Sequence, residues 1–331
     1  GTVQVSTGGT EMGQGLNTKL RQLVADEFGI AVDHVRLMTT STEKNNNTSP
    51  TAASAGTDLN GAAALKACRV IKKRMRAFGA ALLADMEQGL VAAPEHVRIE
   101  NGYVFDDRCV DPDRRMRLAD FCTLARRERV DLGARGFYAT PGVDYNRETG
   151  RGNPFFYYTT GAAVCEVTID RFTGSLTLDR ADLLMDIGQM INPGVDRGQV
   201  IGAFMQGVGW VTNEDLRYDD EGRLLSTGPT TYKIPNVTDL PRTLNVDFID
   251  NPKHKKNVRL SKAVGEPPLM LGIAVWLAAR HALSCAAGRK AFDLAILATG
   301  EELLMALTEI ANADRSRKTD RCVAAQQGSR S

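Results

Sequence analysis

An α+β fold is predicted for this chain, and three observations predict it. Apolar residues recur at helical spacing in several long windows. Two strand-like runs flank a turn sequence and read as antiparallel sheet. The two patterns also mix without the strict strand–helix alternation of a parallel doubly wound sheet. With 331 residues, 43% of them apolar, the chain can bury a sizeable core, in one large domain or in two lobes at about 1–150 and 151–312.

Residues 1–7 alternate as a strand, and 8–15 form a glycine turn. Leu16, Leu20, Leu23, Val24 and Phe28 keep helical spacing and Gly29 supplies a stop, so a helix is predicted over 16–28. A second strand follows at 35–39, then a polar loop over 41–54. The next helix is predicted over 58–86 with Thr57 or Asp58 as cap, because a short polar side chain can accept from the first free amides. Short strands are expected within 97–105 and a helix over 118–129, ahead of a Gly/Pro-rich stretch reaching 150. Asp170-Arg171-Phe172-Thr173-Gly174 is a turn sequence between the runs 162–169 and 175–184, which predicts a hairpin. Helices are then predicted over 193–211, 269–287 and 292–311, the last on the spacing of Leu294, Leu297, Leu303, Leu304 and Leu307. A further hairpin turns at Asp219-Asp220-Glu221-Gly222. Residues 313–331 carry no apolar period and are expected to be disordered.

A net charge of +1 gives no global attraction to nucleic acid or membrane, and neither is expected as a partner. The basic clusters at Lys72-Lys73-Arg74-Met75-Arg76 and Lys253-His254-Lys255-Lys256 read as solvated surface. Six cysteines (68, 109, 122, 165, 285 and 322) form no CxxC, and four histidines (34, 96, 254 and 281) are scattered. Zinc or iron–sulfur ligation by this chain is therefore not expected, and free thiols are. The apolar run 269–287 contains Arg280 and His281 and reads as a buried helix rather than a membrane span. No leader-like segment is read at the start, so the cytoplasm is the expected address. The chain begins at Gly1 already inside a strand pattern, as expected of a piece of a longer polypeptide.

Four turns carry the chemistry. In Gly8-Gly9-Thr10-Glu11-Met12-Gly13-Gln14-Gly15, glycines permit close backbone approach, and the following helix would aim free amides at an anion. An ordinary tight turn reads the same way. The spacing is not GxGxxG and no acidic residue follows at the ribose distance, which disfavours a dinucleotide. Thr48 to Thr57 contains five hydroxyls before a helix and suits a phosphate or a pterin edge, as a plain polar loop also would. In the third, Asn192-Pro193-Gly194 opens a helix carrying Gly198, Gly202 and Gly207. Each weakens the helix by about 1 kcal/mol relative to Ala, so either a ligand or another helix is expected against it. The fourth sets Glu266 after Gly265 and before Pro267-Pro268, which suit a first helical turn. The helix dipole should lower this carboxyl's pKa and burial against Pro267, Leu269 and Met270 should raise it. The balance stays open, and a capping role is the plain alternative. Any metal present would be held by a cofactor rather than by side chains of this chain.

Five segments carry a family resemblance: TGGTEMGQGLNTK (7–19), NTSPTAASAGTDLNGAA (47–63), DIGQMINPGVDRGQVIGAFMQGVG (186–209), GPTTYKIP (228–235) and SKAVGEPPLML (261–271). Together they resemble the molybdopterin-binding portion of the xanthine dehydrogenase/aldehyde oxidase family of molybdenum hydroxylases, in particular the xanthine dehydrogenases. The resemblance runs from Gly1 to about Ala311. It implies the second half of a molybdenum cofactor-binding domain, with mixed sheets and flanking helices. It also implies a reaction in which hypoxanthine and xanthine are oxidised to urate with water as the oxygen source.

In that family the GEPP glutamate, here Glu266, is the base that takes the proton from the metal's hydroxyl. The molybdenum–molybdopterin would rest on Gly13, Gln14 and Gly15, on Thr51, Ala52, Ala53, Ser54, Gly56 and Thr57, and on Gln199, with Gly265 beside the base. Electrons would leave through [2Fe-2S] clusters and FAD to NAD on other modules or a partner subunit. The implied partners are the upstream half of the molybdenum domain, the iron–sulfur/FAD part and a purine substrate, assembled as a dimer of heterodimers. The upstream substrate-orienting groups are absent, so the chain alone is expected to be inactive. Two other readings stay open: an aldehyde oxidase or other aza-aromatic hydroxylase of the same family, and a cofactor carrier without turnover. A glycoside-hydrolase-like acid enzyme would need a second carboxylate motif, which is missing.

Overall fold

The computed structural model of the chain describes all residues except 45–47, 85–89, 110, 289–291 and 329–331. Asn47 of the hydroxyl-rich motif, Met86 as a helix end and the last three tail residues therefore lie outside the described residues. Two compact units are present. The first comprises Gly1–Tyr158, Gly188–Asp196 and Asn251–Ala263, and the second Thr159–Ile187, Arg197–Asp250 and Val264–Ser331.

In the first unit, β1 (Val3–Val5) and β2 (Val35–Leu37) pair in parallel, with Val3 opposite Val35. Between them α1 (Leu16–Phe28) buries the residues whose spacing predicts it, and Gly29 ends it at φ 59° and ψ 44°. The helix α2 (Gly56–Leu83) begins two residues before the predicted start. Its cap residue is Ala55, without a side-chain cap, so neither Thr57 nor Asp58 caps it. Strands β3 (Val97–Glu100), β4 (Tyr103–Asp106) and β5 (Met116–Arg117) form an antiparallel sheet. It is followed by α3 (Leu118–Arg127), which buries Leu118, Phe121 and Ala125. Val24, Phe28, Cys68, Met75, Val97, Val104 and Phe121 share one core. An exposed hairpin, β6 (Asp144–Asn146) and β7 (Arg151–Asn153), interrupts the Gly/Pro-rich stretch.

In the second unit, β8 (Thr160–Ile169) and β9 (Leu176–Asp186) form the predicted antiparallel pair. Asp170 Oδ1 shapes their turn by accepting from the amides of Phe172 at 2.8 Å and Thr173 at 2.9 Å. Between β9 and the next strand comes α4 (Pro193–Thr212). The strand β10 (Thr243–Phe248) joins β9 in parallel, so this sheet is mixed, in the order β10-β9-β8. Val200, Phe204 and Val208 of α4 pack on Leu183, Met185 and Val246.

The helix expected over 269–287 divides into a 3-10 turn, Pro267–Gly272, and α5 (Ile273–Ala286). The last helix, α6 (Gly300–Gly328), differs from the predicted 292–311 at both ends. Its start is set by Thr299-Gly300-Glu301-Glu302, where the Thr299 hydroxyl accepts from the Glu302 amide at 3.2 Å. Phe292, Leu294 and Ala298 precede the helix and fill a core cluster beside Ala279 and Leu283. Beyond 313, where disorder is expected, the helix continues, since no Gly or Pro interrupts 301–327. Among the described residues one helical stretch, Pro267–Ala286, is long and apolar enough to cross a membrane. Its Val275, Ala279 and Leu283 are buried in the cores of this unit. Parallel, antiparallel and mixed sheets with flanking helices make the fold α+β.

Candidate functional site

The first unit brings three of the four turns together. The amide of Thr10 donates to Thr51 Oγ1 at 2.9 Å, and the Thr7 hydroxyl donates to Asn60 Oδ1 at 2.8 Å. These bonds join the glycine turn to the hydroxyl loop and to the start of α2. The third turn is anchored on α1, where Gln22 Nε2 donates to the Ile191 carbonyl at 2.5 Å and a buried Lys19–Asp196 ion pair holds the first turn of α4. Asn192 Oδ1 accepts from the Val195 amide at 3.0 Å, so Asn192 caps the first turn of α4 ahead of Pro193. Gly15 sits at φ 77°, and a Cβ there would lie 2.5 Å from Cγ1 of Val195. Both the backbone conformation and the close neighbour require glycine.

The helix start after the glycine turn is not free for an outside anion. Glu11 occupies it, accepting from the amides of Gly13 at 2.9 Å, Gly15 at 3.0 Å and Asn17 at 2.8 Å. Gln14 is also engaged within the turn, with Nε2 on the Thr10 carbonyl at 2.8 Å and Oε1 accepting from Met12 at 2.6 Å. The expectation of unpaired amides at this turn is therefore corrected: α1 carries its own carboxylate there. Burial pushes the Glu11 carboxyl up, but the amides of Asn17, Gly15 and Gly13 together outweigh it and hold it below the ordinary glutamate range.

A group so depressed contributes stability that is complete above its unfolded pKa and is lost as pH falls through the folded value. The amides of Gly13, Gly15 and Asn17 are thus expected to lose hydrogen-exchange protection, corrected for intrinsic rates, as pH falls below the ordinary glutamate value of 4.5. Glu11→Gln should remove that dependence. An unchanged profile in the variant would count against the cap.

The hydroxyl loop has a different character. Ala53 and Ser54 lie consecutively in the left-handed region, at φ 55° and 51°, at about 1–2 kcal/mol each for non-glycine residues. They turn the chain into α2, whose first amides have no side-chain cap. Among the described residues the Ser54 and Thr57 hydroxyls have no partner. This donor set of two hydroxyls and the free amides of Gly56 and Thr57 fits an anionic phosphate or a pterin edge. Ala52 and Ala53 are exposed at its rim.

In the second unit, Gln199 is half-buried on α4, and Gly265 and Glu266 lead into the turn Pro267–Gly272. That turn lies directly on α4. A Cβ on Gly207 would collide with the Leu269 carbonyl, and one on Gly272 with the backbone of Gly207 and Val208. Backbone contact between helical segments thus accounts for Gly207, whereas Gly198 and Gly202 face open space.

Glu266 is exposed, with φ −108° and ψ −40°, and its side chain makes no cap hydrogen bond. Its carbonyl accepts from the Leu269 amide at 3.0 Å. Among the described residues its carboxylate has no hydrogen bond or ion pair. The capping role and burial against Pro267, Leu269 and Met270 are therefore corrected: the side chain is exposed and makes no cap bond. Gly265 is not in the left-handed region, so it provides no positive-φ hinge.

Sequence reading missed Glu11, although its place inside TGGTEMGQG, two to six residues before the amides that it caps, was the available signal. It also took Asp58 for a helix cap and assigned nothing to Tyr157. Burial pushes the thiols of Cys68 and Cys165 to about 11, so neither is a nucleophile. Among the described residues no group of three or more His, Cys, Asp or Glu is placed to hold a metal ion.

Residues 1–241 match the family model of the molybdopterin cofactor-binding domain. Over 289 residues the chain is 43% identical to a xanthine dehydrogenase of Dictyostelium discoideum, which covers 86% of this chain and 19% of that protein. Over 310 residues it is 39% identical to a xanthine dehydrogenase/oxidase of Felis catus, covering 92% and 21%. Quinoline 2-oxidoreductase from Pseudomonas putida 86 matches in structure with a TM-score of 0.75 at 25% identity, over 93% of this chain and 37% of that one. The chain spans about a fifth of the length of the curated relatives it matches. With the family match running over most of its residues, the chain belongs to the molybdopterin cofactor-binding domain family.

Proposed function

We propose that this chain is the second half of the molybdenum domain of a xanthine dehydrogenase-type hydroxylase. The reaction replaces C–H by C–OH on hypoxanthine or xanthine, with oxygen from water and two electrons passing to NAD by way of [2Fe-2S] clusters and FAD on other modules. The observation that carries the reading is Glu266, an unpaired carboxylate on a turn seated backbone-to-backbone on α4. Identity of about 40% to xanthine dehydrogenases over most of the chain supports the purine branch.

Ser54, Gly56 and Thr57 would hold the anionic end of the cofactor, with Thr51, Ala52 and Ala53 along its edge. Gly13, Gln14 and Gly15 would present a pre-shaped turn, and Gln199 a side-chain amide. When bound, the molybdenum–molybdopterin supplies the centre that takes two electrons from the substrate carbon. Glu266 serves as general base, receiving a proton on its carboxylate oxygen as the water-derived oxygen becomes nucleophilic. The upstream half of the domain, the iron–sulfur/FAD part and a dimer of heterodimers complete the assembly, in the cytoplasm.

Steady-state assay of the full-length holoenzyme on xanthine, hypoxanthine and benzaldehyde, with molybdenum and pterin quantified, tests the reading. Bound molybdenum with purine turnover dominant is expected. A dominant aldehyde activity would move the protein to the aldehyde oxidase branch, and absent molybdenum would refute the reading.

A further inference from the structure

Asp58 and Tyr157 belong to a polar network to which nothing above gives a role. The Tyr157 hydroxyl donates to Asp58 Oδ2 at 2.5 Å and accepts from the Ala263 amide at 2.9 Å. One phenol oxygen thus uses its donor and an acceptor position on two separate segments. Asn257 is a second partner of Asp58, and its Nδ2 donates to the Ser261 carbonyl at 3.0 Å. His254 stands edge-on to the Tyr157 ring, 5.8 Å between centroids, with Nε2 3.2 Å from the same Ser261 carbonyl. All of these residues lie in the first unit.

The positions at the two ends of this network give it meaning. Asp58 is the residue immediately after Thr57, where the hydroxyl loop enters α2. Ala263 is three residues before Glu266, and it follows a short 3-10 turn, Val258–Leu260, and a single β-bridge at Ser261. Asn257 lies at φ 70°, and Arg259 and Leu260 at φ 48° and 59°, a costly path that backbone bonds such as that from the Gln189 amide to the Leu260 carbonyl at 2.9 Å share with the side-chain bonds. Burial outweighs the hydrogen bonds from Tyr157 and Asn257 and the charges of Lys19 and His254, and holds the Asp58 carboxyl above the ordinary aspartate range. Asp58 Oδ2 is the acceptor that orients the phenol toward the Ala263 amide.

We propose that Asp58 and Tyr157 are positioning residues for the reaction: they fix the Ala263 backbone and thereby set where the Glu266 carboxylate is presented. This rests on Glu266 being the base, as argued under the proposed function. The pair also links the hydroxyl loop to the Ala263 backbone through a single oxygen atom. Removing that oxygen leaves the Ala263 amide and Asp58 without their shared partner, and the segment relaxes. Misplacement of a reacting group by about 1 Å can reduce a rate about a hundredfold.

The test uses the full-length holoenzyme and its variants Tyr157→Phe, Asp58→Ala, Asp58→Asn and Glu266→Gln. Tyr157→Phe is expected to keep molybdenum content and KM for xanthine while kcat per molybdenum falls about ten- to a hundredfold. Hydrogen exchange of the Ala263 amide should quicken in parallel. Asp58→Asn keeps an acceptor oxygen for the phenol and should recover part of the kcat lost in Asp58→Ala. Unchanged kcat per molybdenum in Tyr157→Phe, or equal losses in the two Asp58 variants, would overturn the proposal. If Tyr157→Phe does not accumulate as holoenzyme, the Asp58 pair decides on the same criterion. A near-normal rate in Glu266→Gln would instead refute the base assignment, so the two failures are distinct.

Discussion

Glu266→Gln is expected to leave molybdenum and pterin bound at the wild-type ratio while turnover falls by about 10²–10⁴-fold, the range for loss of a positioned general base. The side chain makes no hydrogen bond or ion pair among the described residues, so an amide of the same size disturbs no packing. The backbone bond from the Leu269 amide to the Glu266 carbonyl does not depend on the side chain. The turn should therefore keep its seat on α4 and its shape. Loss should appear equally in kcat and kcat/KM, the signature of an interaction made only in the transition state. Retention of molybdenum with a near-normal rate would favour a carrier that binds the cofactor without turning substrate over.

Lys19→Met is expected to destabilise the protein by about 3–5 kcal/mol, seen as a lower urea midpoint for the transition that includes α1, because it leaves a buried carboxylate unpaired. The side chains of Lys19 and Asp196 are 7% and 3% exposed, and Asp196 also accepts from the Asn192 amide at 3.1 Å. This pair holds the start of α4 under the glycine turn, so molybdenum content should fall together with stability. Replacing both partners, Lys19→Met with Asp196→Leu, should cost less than the single change, since no unpaired buried charge remains. A double variant less stable than the single one would contradict this account.

The long periodic elements were legible because one apolar face suffices to predict them. Leu16 to Phe28 followed by Gly29, and the turn from Asp170 to Gly174, appear in the structure where sequence reading places them. β10 was not legible, since Thr243–Phe248 gains its strand character from pairing with β9, a partner some sixty residues earlier in the chain. The start of α6 was misread because leucine spacing was weighed above the Thr299–Glu302 cap signal, and a buried extended segment carries leucines just as a helix does.

At the candidate site, composition picked out four turns, and geometry assigned their donors differently from the sequence reading. The amides of the glycine turn serve Glu11, whereas those after Ser54 remain free. The Tyr157–Asp58 bond joins residues 99 apart in the chain, and no local pattern announces such a pairing.

The Glu11 cap has one further consequence. A bend that already holds its own counter-ion does not need its guest in order to take shape, so the nascent apoprotein would offer a finished shelf at Gly13 to Gly15. If the pterin rests there as proposed, loading it would carry no ordering penalty at that place. An insertion step late in maturation, on a polypeptide already folded, is the order of events this arrangement favours.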